Sequence, residues 1–331
     1  MEEEMAQQVK PSEIKVPPLK KLTNYPEKLA PGHRLCAGCG ASIIIRQMYM
    51  VASALGYELI WANATGCVEV CTTVYPYTSW KSPWIHNAFE NAAATISGVE
   101  AAYKALKRKG KLPTDKKVKF VALGGDGGTY DIGFQSFSGA LERGHDFIYV
   151  CYDNEAYMNT GIQRSSATPK YANTTTQPVG SESLGKPQHK KWLPEVAAAH
   201  EIPYVAQVSP SHWKDLMEKF KKALLTEGPS FINAFTVCPR GWRTKEEEGM
   251  KVARLAVETN YWPLFEVENG KWRITHRPKN PKPLEEYLKI QGRFKHLFKP
   301  ENQDKIKELQ EEVNRRWEWL NKMEELTNRE E

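Results

Sequence analysis

The sequence predicts an α/β protein built on a doubly wound, mostly parallel sheet, with an extended N-terminal arm and a helical C-terminal tail. Three observations carry this reading. Short apolar runs alternate with segments of helical spacing, several runs end abruptly in glycine or in Asp–Asn, and strand–helix–strand units of this length imply parallel strands with helices on both faces. A chain of 331 residues is one large domain or two ordinary ones, at about 150 residues per domain. We divide it into an arm (1–31), a central domain (32–242) and a C-terminal extension (243–331).

The arm carries Pro11, Pro17, Pro18, Pro26 and Pro31 and no apolar period, so it reads as extended chain that packs on a neighbour. Residues 41–55 have helical composition and stop at Gly56; 58–63 form a short buried strand. Residues 86–109 read as a helix, with Phe89, Ala92, Ala93, Ile96, Val99, Tyr103 and Leu106 on one face. Gly110 closes it behind a basic last turn. Residues 118–123 form a strand that runs straight into Gly124-Gly125-Asp126-Gly127-Gly128. A helix near 135–143 and a strand at 147–152 follow, and the strand ends in Asp153-Asn154. A strand at 204–208, a helix at 211–225 and a strand at 230–237 repeat the pattern. In the tail, Ile306, Leu309, Val313, Trp317, Leu320, Met323 and Leu326 recur at spacings of three and four, which is one apolar helical stripe over 303–327. Its cover is either the chain's own domain or, the reading favoured here, another subunit.

Composition narrows the function. Hydrophobic residues make up 40% and charged residues 26%, too apolar for a disordered chain. The net charge of +6 is interleaved along the sequence, with no basic stripe of the kind nucleic acid requires. No charge-free run approaches the roughly 18 residues of a membrane span. The acidic start Met1-Glu2-Glu3-Glu4 lacks the apolar region of a secretory signal, so a cytoplasmic location is expected. Six cysteines, at 36, 39, 67, 71, 151 and 238, are too few for a secreted disulfide scaffold. A Cys-x-x-Cys pair in this setting points to metal or redox chemistry.

The glycine-rich loop is the clearest chemical signal. Four glycines in five positions let the backbone approach a ligand and adopt positive φ, and the following helix start offers N–H groups to a phosphate. Asp126 is the lone side chain there. A carboxylate beside a phosphate is repulsive unless a cation lies between, and Mg²⁺ suits carboxylate and phosphate oxygens together. Asn154 lies 28 residues on, at the end of the next strand, and loops at the carboxyl ends of neighbouring strands meet in one crevice. Alone, Gly-Asp-Gly is also compatible with a tight strand-to-helix turn.

With Asn154 in place, the pattern resembles the thiamine-diphosphate enzymes. The string Asn154-Glu155-Ala156-Tyr157-Met158-Asn159-Thr160-Gly161-Ile162-Gln163 is similar to the beta subunit of the 2-oxoacid:ferredoxin oxidoreductases, the pyruvate branch above all. The likeness covers about 31–242. It implies the diphosphate-binding type of the thiamine fold. It also implies that Asp126, Asn154 and the Ala156 carbonyl bind Mg²⁺ and that Gly125, Gly127 and Gly128 cradle the diphosphate. Asn159 would lie near the reacting carbons, with Tyr157 and Cys67 also in the cofactor-binding set.

Cys36-Ala37-Gly38-Cys39-Gly40 can serve zinc, a dithiol or an iron–sulfur centre. Zinc sites usually present a second tight pair of ligands, and no second Cys-x-x-Cys exists in the sequence. The resemblance implies a [4Fe–4S] cluster on Cys36, Cys39, Cys67 (after Gly66) and Cys238 (before Pro239). Cys71 competes with Cys67 for the third place, and mid-strand Cys151 reads as a buried inert thiol. The implied reaction is oxidative decarboxylation of pyruvate with coenzyme A, passing electrons through the cluster to ferredoxin; 2-oxoisovalerate or another 2-oxoacid is the alternative substrate. A non-redox thiamine-dependent decarboxylase and a zinc-stabilised assembly subunit are the readings from other classes. The family's activating glutamate comes from a second thiamine domain on another subunit, beside a ferredoxin-like subunit, so the isolated chain is expected to be inactive.

Overall fold

Six apolar runs pair as parallel strands and two more extend them antiparallel, giving one eight-stranded sheet in a computed structural model that describes residues 15–113 and 115–329. The first 14 residues of the expected arm, Pro11 among them, lie outside the described residues. The strands are β1 (Tyr57–Ala64), β2 (Trp84–Asn87), β3 (Lys117–Gly125), β4 (Phe147–Asp153), β5 (Tyr204–Val208), β6 (Ser230–Phe235), β7 (Leu264–Glu268) and β8 (Lys271–His276). Their order is β2-β1-β3-β4-β6-β5-β7-β8. Every residue of β4 is buried, as a strand covered on both faces must be. The helices Gly40–Ala54 and Trp213–Leu225 pack one face, while Ala92–Arg108, Phe134–Glu142 and part of the tail helix pack the other. From the described part of the arm, Leu22 and Leu29 are buried in the first of these layers. No helix among the described residues is long and apolar enough to cross a membrane.

Three features differ from the sequence reading. Residues 86 and 87 are not helical: Trp84–Asn87 is an edge strand paired in parallel with Trp61–Ala64, and the helix begins at Ala92. Aromatic stacking holds that edge, Trp80 on Trp84 at 6.0 Å and Trp84 on His86 at 6.3 Å. Phe89 therefore stands in a loop instead of on the helix. Second, β7 and β8 have no counterpart in the reading above, although Asn269 and Gly270 between them have φ of 50° and 79°, the two-residue turn that suits a hairpin. They place much of the segment after 242 on the same sheet.

The third difference is the cover of the tail helix, Gln303–Thr327. Its apolar stripe packs on its own chain: Leu320 joins Trp272 and Ile274 of β8, and Leu309 and Val313 join Leu284, Tyr287 and Phe294. The same helix closes the outer edge of the sheet. Glu324 Oε1 accepts the Ile274 N–H at 2.7 Å and Thr327 Oγ1 accepts the Trp272 N–H at 2.9 Å. An edge strand otherwise presents such groups unpaired. Local packing covers Leu309, Val313 and Leu320, while Leu326 at the end of the stripe stays exposed.

Attachment of β7 depends on Glu266, which is buried against Tyr204 Oη at 2.7 Å, Lys222 Nζ at 2.9 Å and Arg273 Nε at 2.9 Å. Burial works against its charge, but Lys222, Tyr204 and Arg273 outweigh it and hold the carboxyl down to about 2 from the usual 4.5. A depressed carboxyl stabilises the fold above its unfolded value and loses that contribution as pH falls through the folded one. Glu266→Gln is expected to cost about 2 kcal/mol at neutral pH. Denaturant titrations at a series of pH values should show the gap from the parent closing between 4.5 and about 2.

Candidate active site

Strand register decides where the chemistry sits. Gly124 of β3 faces Cys151 of β4 and Gly125 faces Tyr152, so the two strands end level and Asp126 arrives beside Asp153-Asn154. The glycines are required by space and not by torsion: none of Gly124, Gly125, Gly127 and Gly128 has a left-handed φ, which corrects the expectation of positive φ here. A Cβ on Gly124 would lie 2.6 Å from the Tyr149 hydroxyl, and one on Gly127 would lie 2.4 Å from the Tyr157 ring. On Gly125 it would stand 3.2 Å from Tyr152 and on Gly128 3.1 Å from the Phe89 carbonyl. After Asp126 the chain makes a wide turn, Gly127–Ile132, closed by Gly133 N–H to Gly128 O at 2.8 Å, before the helix Phe134–Glu142.

Asp126 has no exposed surface. It accepts the Asn154 backbone N–H at 3.2 Å and the Ser165 hydroxyl at 2.5 Å, both neutral donors. Burial, with the charge of Asp153 added, pushes its carboxyl well above the usual range. The Asn154 side-chain amide stands 2.8 Å from Asp126 Oδ1 and 2.9 Å from the Ala156 carbonyl oxygen. With its nitrogen inward it donates to both; with its oxygen inward, acceptor oxygens converge with no proton between them, which calls for a cation. Mg²⁺ bonds of about 2.0–2.1 Å at right angles set neighbouring ligand oxygens about 2.9 Å apart. Spacing and donor set both fit Mg²⁺.

Past the end of β4 the chain turns at Glu155, whose φ is 66°. Asn154 and Ala156 line the cleft, whereas Asp153 and Glu155 enter a buried ionic network. Lys190 Nζ lies 2.8 Å from Asp153 and 3.0 Å from Glu155, and Arg293 Nη2 lies 2.5 Å from Glu155. The Tyr130 hydroxyl donates to Asp153 at 2.8 Å and the Tyr261 hydroxyl to Glu155 at 2.6 Å. Burial pushes the Asp153 carboxyl up even beside Lys190. For Glu155 burial is outweighed by Lys190 and Arg293, which hold its carboxyl below the usual range.

Gly125, Asp126, Gly127, Gly128, Asn154, Ala156, Tyr157, Asn159 and Cys67 all line this one cleft. The Tyr157 ring lies over Gly127, and its hydroxyl donates to the Gly127 carbonyl at 2.9 Å. A second cavity, of 310 Å³, is lined by Cys36, Cys39, Cys67, Cys71 and Cys238; Cys151 is buried in β4. Burial pushes the Cys39 thiol up to about 12, and the charges of Cys238 and Cys36 add to it. Burial also raises Cys67, which feels Cys238, Cys39, Cys71 and Cys36 in turn. The Cys238 sulfur accepts the Gly241 N–H at 3.3 Å. Among the described residues no three of His, Cys, Asp and Glu are gathered as a site for a single metal ion. All five thiols line the one cavity.

The two cavities share a wall made of Cys67, Tyr152, Asn154, Met158 and Asn159. Asn159 is exposed at the mouth. Phe89, Thr65, Tyr152, Met158 and Ser165 are site residues that the sequence reading does not single out. Phe89 meets Tyr157 edge to face at 6.0 Å, a contact hidden when 86–109 is read as one helix.

Comparisons with known proteins agree with this geometry. Residues 64–234 match the family described as thiamine pyrophosphate enzyme, C-terminal TPP binding domain. Pyruvate synthase subunit PorB of Thermotoga maritima is 57% identical over 297 residues, covering 89% of this chain and 92% of that protein. Ketoisovalerate oxidoreductase subunit VorB of Pyrococcus abyssi is 46% identical, covering 91% and 95%. Among solved structures, a 2-oxoglutarate:ferredoxin oxidoreductase from Magnetococcus marinus superposes with a TM-score of 0.54 at 22% identity, over 70% of this chain and 80% of that one. That likeness is one of fold.

The spatial role of the glycines has a direct check. Gly124→Ala forces a methyl against Tyr149 and Thr129 and is expected to cost about 1–3 kcal/mol. Gly98→Ala, on an exposed helical position with nothing within 4 Å, should gain about 1 kcal/mol. Thermal unfolding of the two variants should move in opposite directions.

Proposed function

The chain belongs to the pyruvate synthase subunit PorB family of thiamine pyrophosphate enzymes, and from that premise we propose that it carries both the cofactor site and the electron outlet of a pyruvate:ferredoxin oxidoreductase. Gly125, Gly127 and Gly128 would cradle the diphosphate, while Asp126, Asn154 and the Ala156 carbonyl would hold Mg²⁺. Cys36, Cys39, Cys67 and Cys238 would hold a [4Fe–4S] cluster. The observation that carries this reading is the wall of Cys67, Tyr152, Asn154, Met158 and Asn159 common to the two cavities. On this reading the reacting end of the cofactor and the cluster thiols would lie on opposite sides of one layer of side chains.

Thiamine diphosphate, when bound, supplies a carbon nucleophile and an electron sink for decarboxylation of a 2-oxoacid. The protein's part is positional. Asp126 and Asn154 anchor the diphosphate end through the cation, Tyr157 roofs the glycine loop, and Asn159 stands at the mouth where substrate enters. Cys67 belongs to both walls, so a cluster held there would receive electrons one at a time over a short path. Pyruvate is favoured over 2-oxoisovalerate by the higher identity of the pyruvate synthase relative. Coenzyme A as acyl acceptor, ferredoxin as electron acceptor, a second thiamine domain supplying the activating glutamate, a ferredoxin-like subunit and a cytoplasmic setting complete the reading.

Asp126→Ala and Asn154→Ala should each abolish thiamine-diphosphate binding in the assembled complex without unfolding it. Calorimetric titration with the cofactor and Mg²⁺ measures this, and unchanged affinity in either variant would remove the cation bridge. Cys67→Ser should lose or damage the cluster, while Cys71→Ser should keep it. Iron content and electron paramagnetic resonance of the reduced, anaerobically purified complex decide between them; iron lost only with Cys71→Ser would transfer the third ligand to Cys71.

A further inference from the structure

Glu155 lies between the two residues assigned to the cation, yet its side chain does not line the cleft. Its φ of 66° is left-handed, a conformation that costs a non-glycine residue about 1–2 kcal/mol. Both peptide groups beside it are tied down. The Asn154 carbonyl accepts the Trp242 indole N–H at 2.8 Å, and the Glu155 carbonyl accepts the Thr168 hydroxyl at 2.7 Å. The carboxylate is clamped by Arg293 at 2.5 Å, Tyr261 at 2.6 Å and Lys190 at 3.0 Å. Arg293 is itself buried, with its guanidinium 4.0 Å from the Trp242 ring, and comes from a segment 138 residues downstream. A buried set of ion pairs contributes little more to stability than apolar packing would. What it does supply is direction, because a carboxylate held on three sides cannot rotate.

We propose that Glu155, gripped by Arg293, Lys190 and Tyr261, is a positioning residue that locks the left-handed turn so that the Asn154 amide and the Ala156 carbonyl meet Asp126 on one cation. The C-terminal segment thereby becomes part of the cofactor site without touching the cofactor. This rests on the Mg²⁺ and thiamine-diphosphate reading above.

The test is thiamine-diphosphate binding to the assembled complex, followed calorimetrically as free Mg²⁺ is varied. Arg293→Met should raise the Mg²⁺ concentration needed for half-saturation about 10–100-fold, with high Mg²⁺ restoring the cofactor affinity. Arg293→Lys should recover part of the loss, and Tyr261→Phe should shift the midpoint in the same direction by less. A merely structural role would lower the unfolding temperature and leave the Mg²⁺ midpoint unmoved. A folded Arg293→Met complex with the parental midpoint overturns the proposal. If that variant does not assemble, an unmoved midpoint in Tyr261→Phe overturns it instead. Absence of Mg²⁺-dependent binding in the parent protein would sink the underlying reading, which is a different result.

Discussion

A carboxylate with no exposed surface, Asp126, sits where two parallel strands end level, and neutral donors are the groups that hydrogen-bond it. Burying a charge in that way is costly unless it is neutralised. The surroundings can be read as the response. On the cleft side, the Asn154 side-chain amide lies 2.8 Å from Asp126 Oδ1 and 2.9 Å from the Ala156 carbonyl oxygen. On the far side, Lys190 and Arg293 compensate Asp153 and Glu155, so the strand end does not add further uncompensated acids.

That arrangement explains why the fold around it is so crowded. β4 is buried throughout, and its aromatic residues Tyr149 and Tyr152 press against the glycines of β3. A methyl at Gly124 would collide with the Tyr149 hydroxyl and one at Gly127 with the Tyr157 ring. Dense packing transmits the resulting displacement. The cysteine cavity on the other side of Tyr152 and Asn154 inherits the same rigidity, because its wall is the back of the cofactor cleft.

The segment after 242 has two jobs in this economy of space. β7, β8 and the tail helix finish the sheet and close its edge, while Arg293 reaches back to the turn that carries Asn154 and Ala156. Glu266 and Glu155 are two of the carboxylates that fasten the segment to the parallel half of the molecule, beside Glu308 on Lys170 and Glu312 on His189.

Much of this was legible in the amino-acid order because it is local. The glycine run, Asp126, Asn154 28 residues later, the Cys-x-x-Cys pair and the stripe of the tail helix are short patterns that sequence order itself displays. The tail helix runs Gln303–Thr327, as its spacing predicts. The Asn269–Gly270 turn between β7 and β8 is an equally local signal. What the tertiary structure alone decided is pairing at long range. It decided that the loop needs glycine for room and not for φ, since the crowding rings come from the next strand. It also decided that Phe89 belongs to the cleft, that Arg293 holds Glu155 across 138 residues, and that the tail stripe packs on β8 and on Leu284, Tyr287 and Phe294. Each depends on which surfaces the folded sheet brings within a few ångströms, and periodicity carries no information about a partner a hundred residues away.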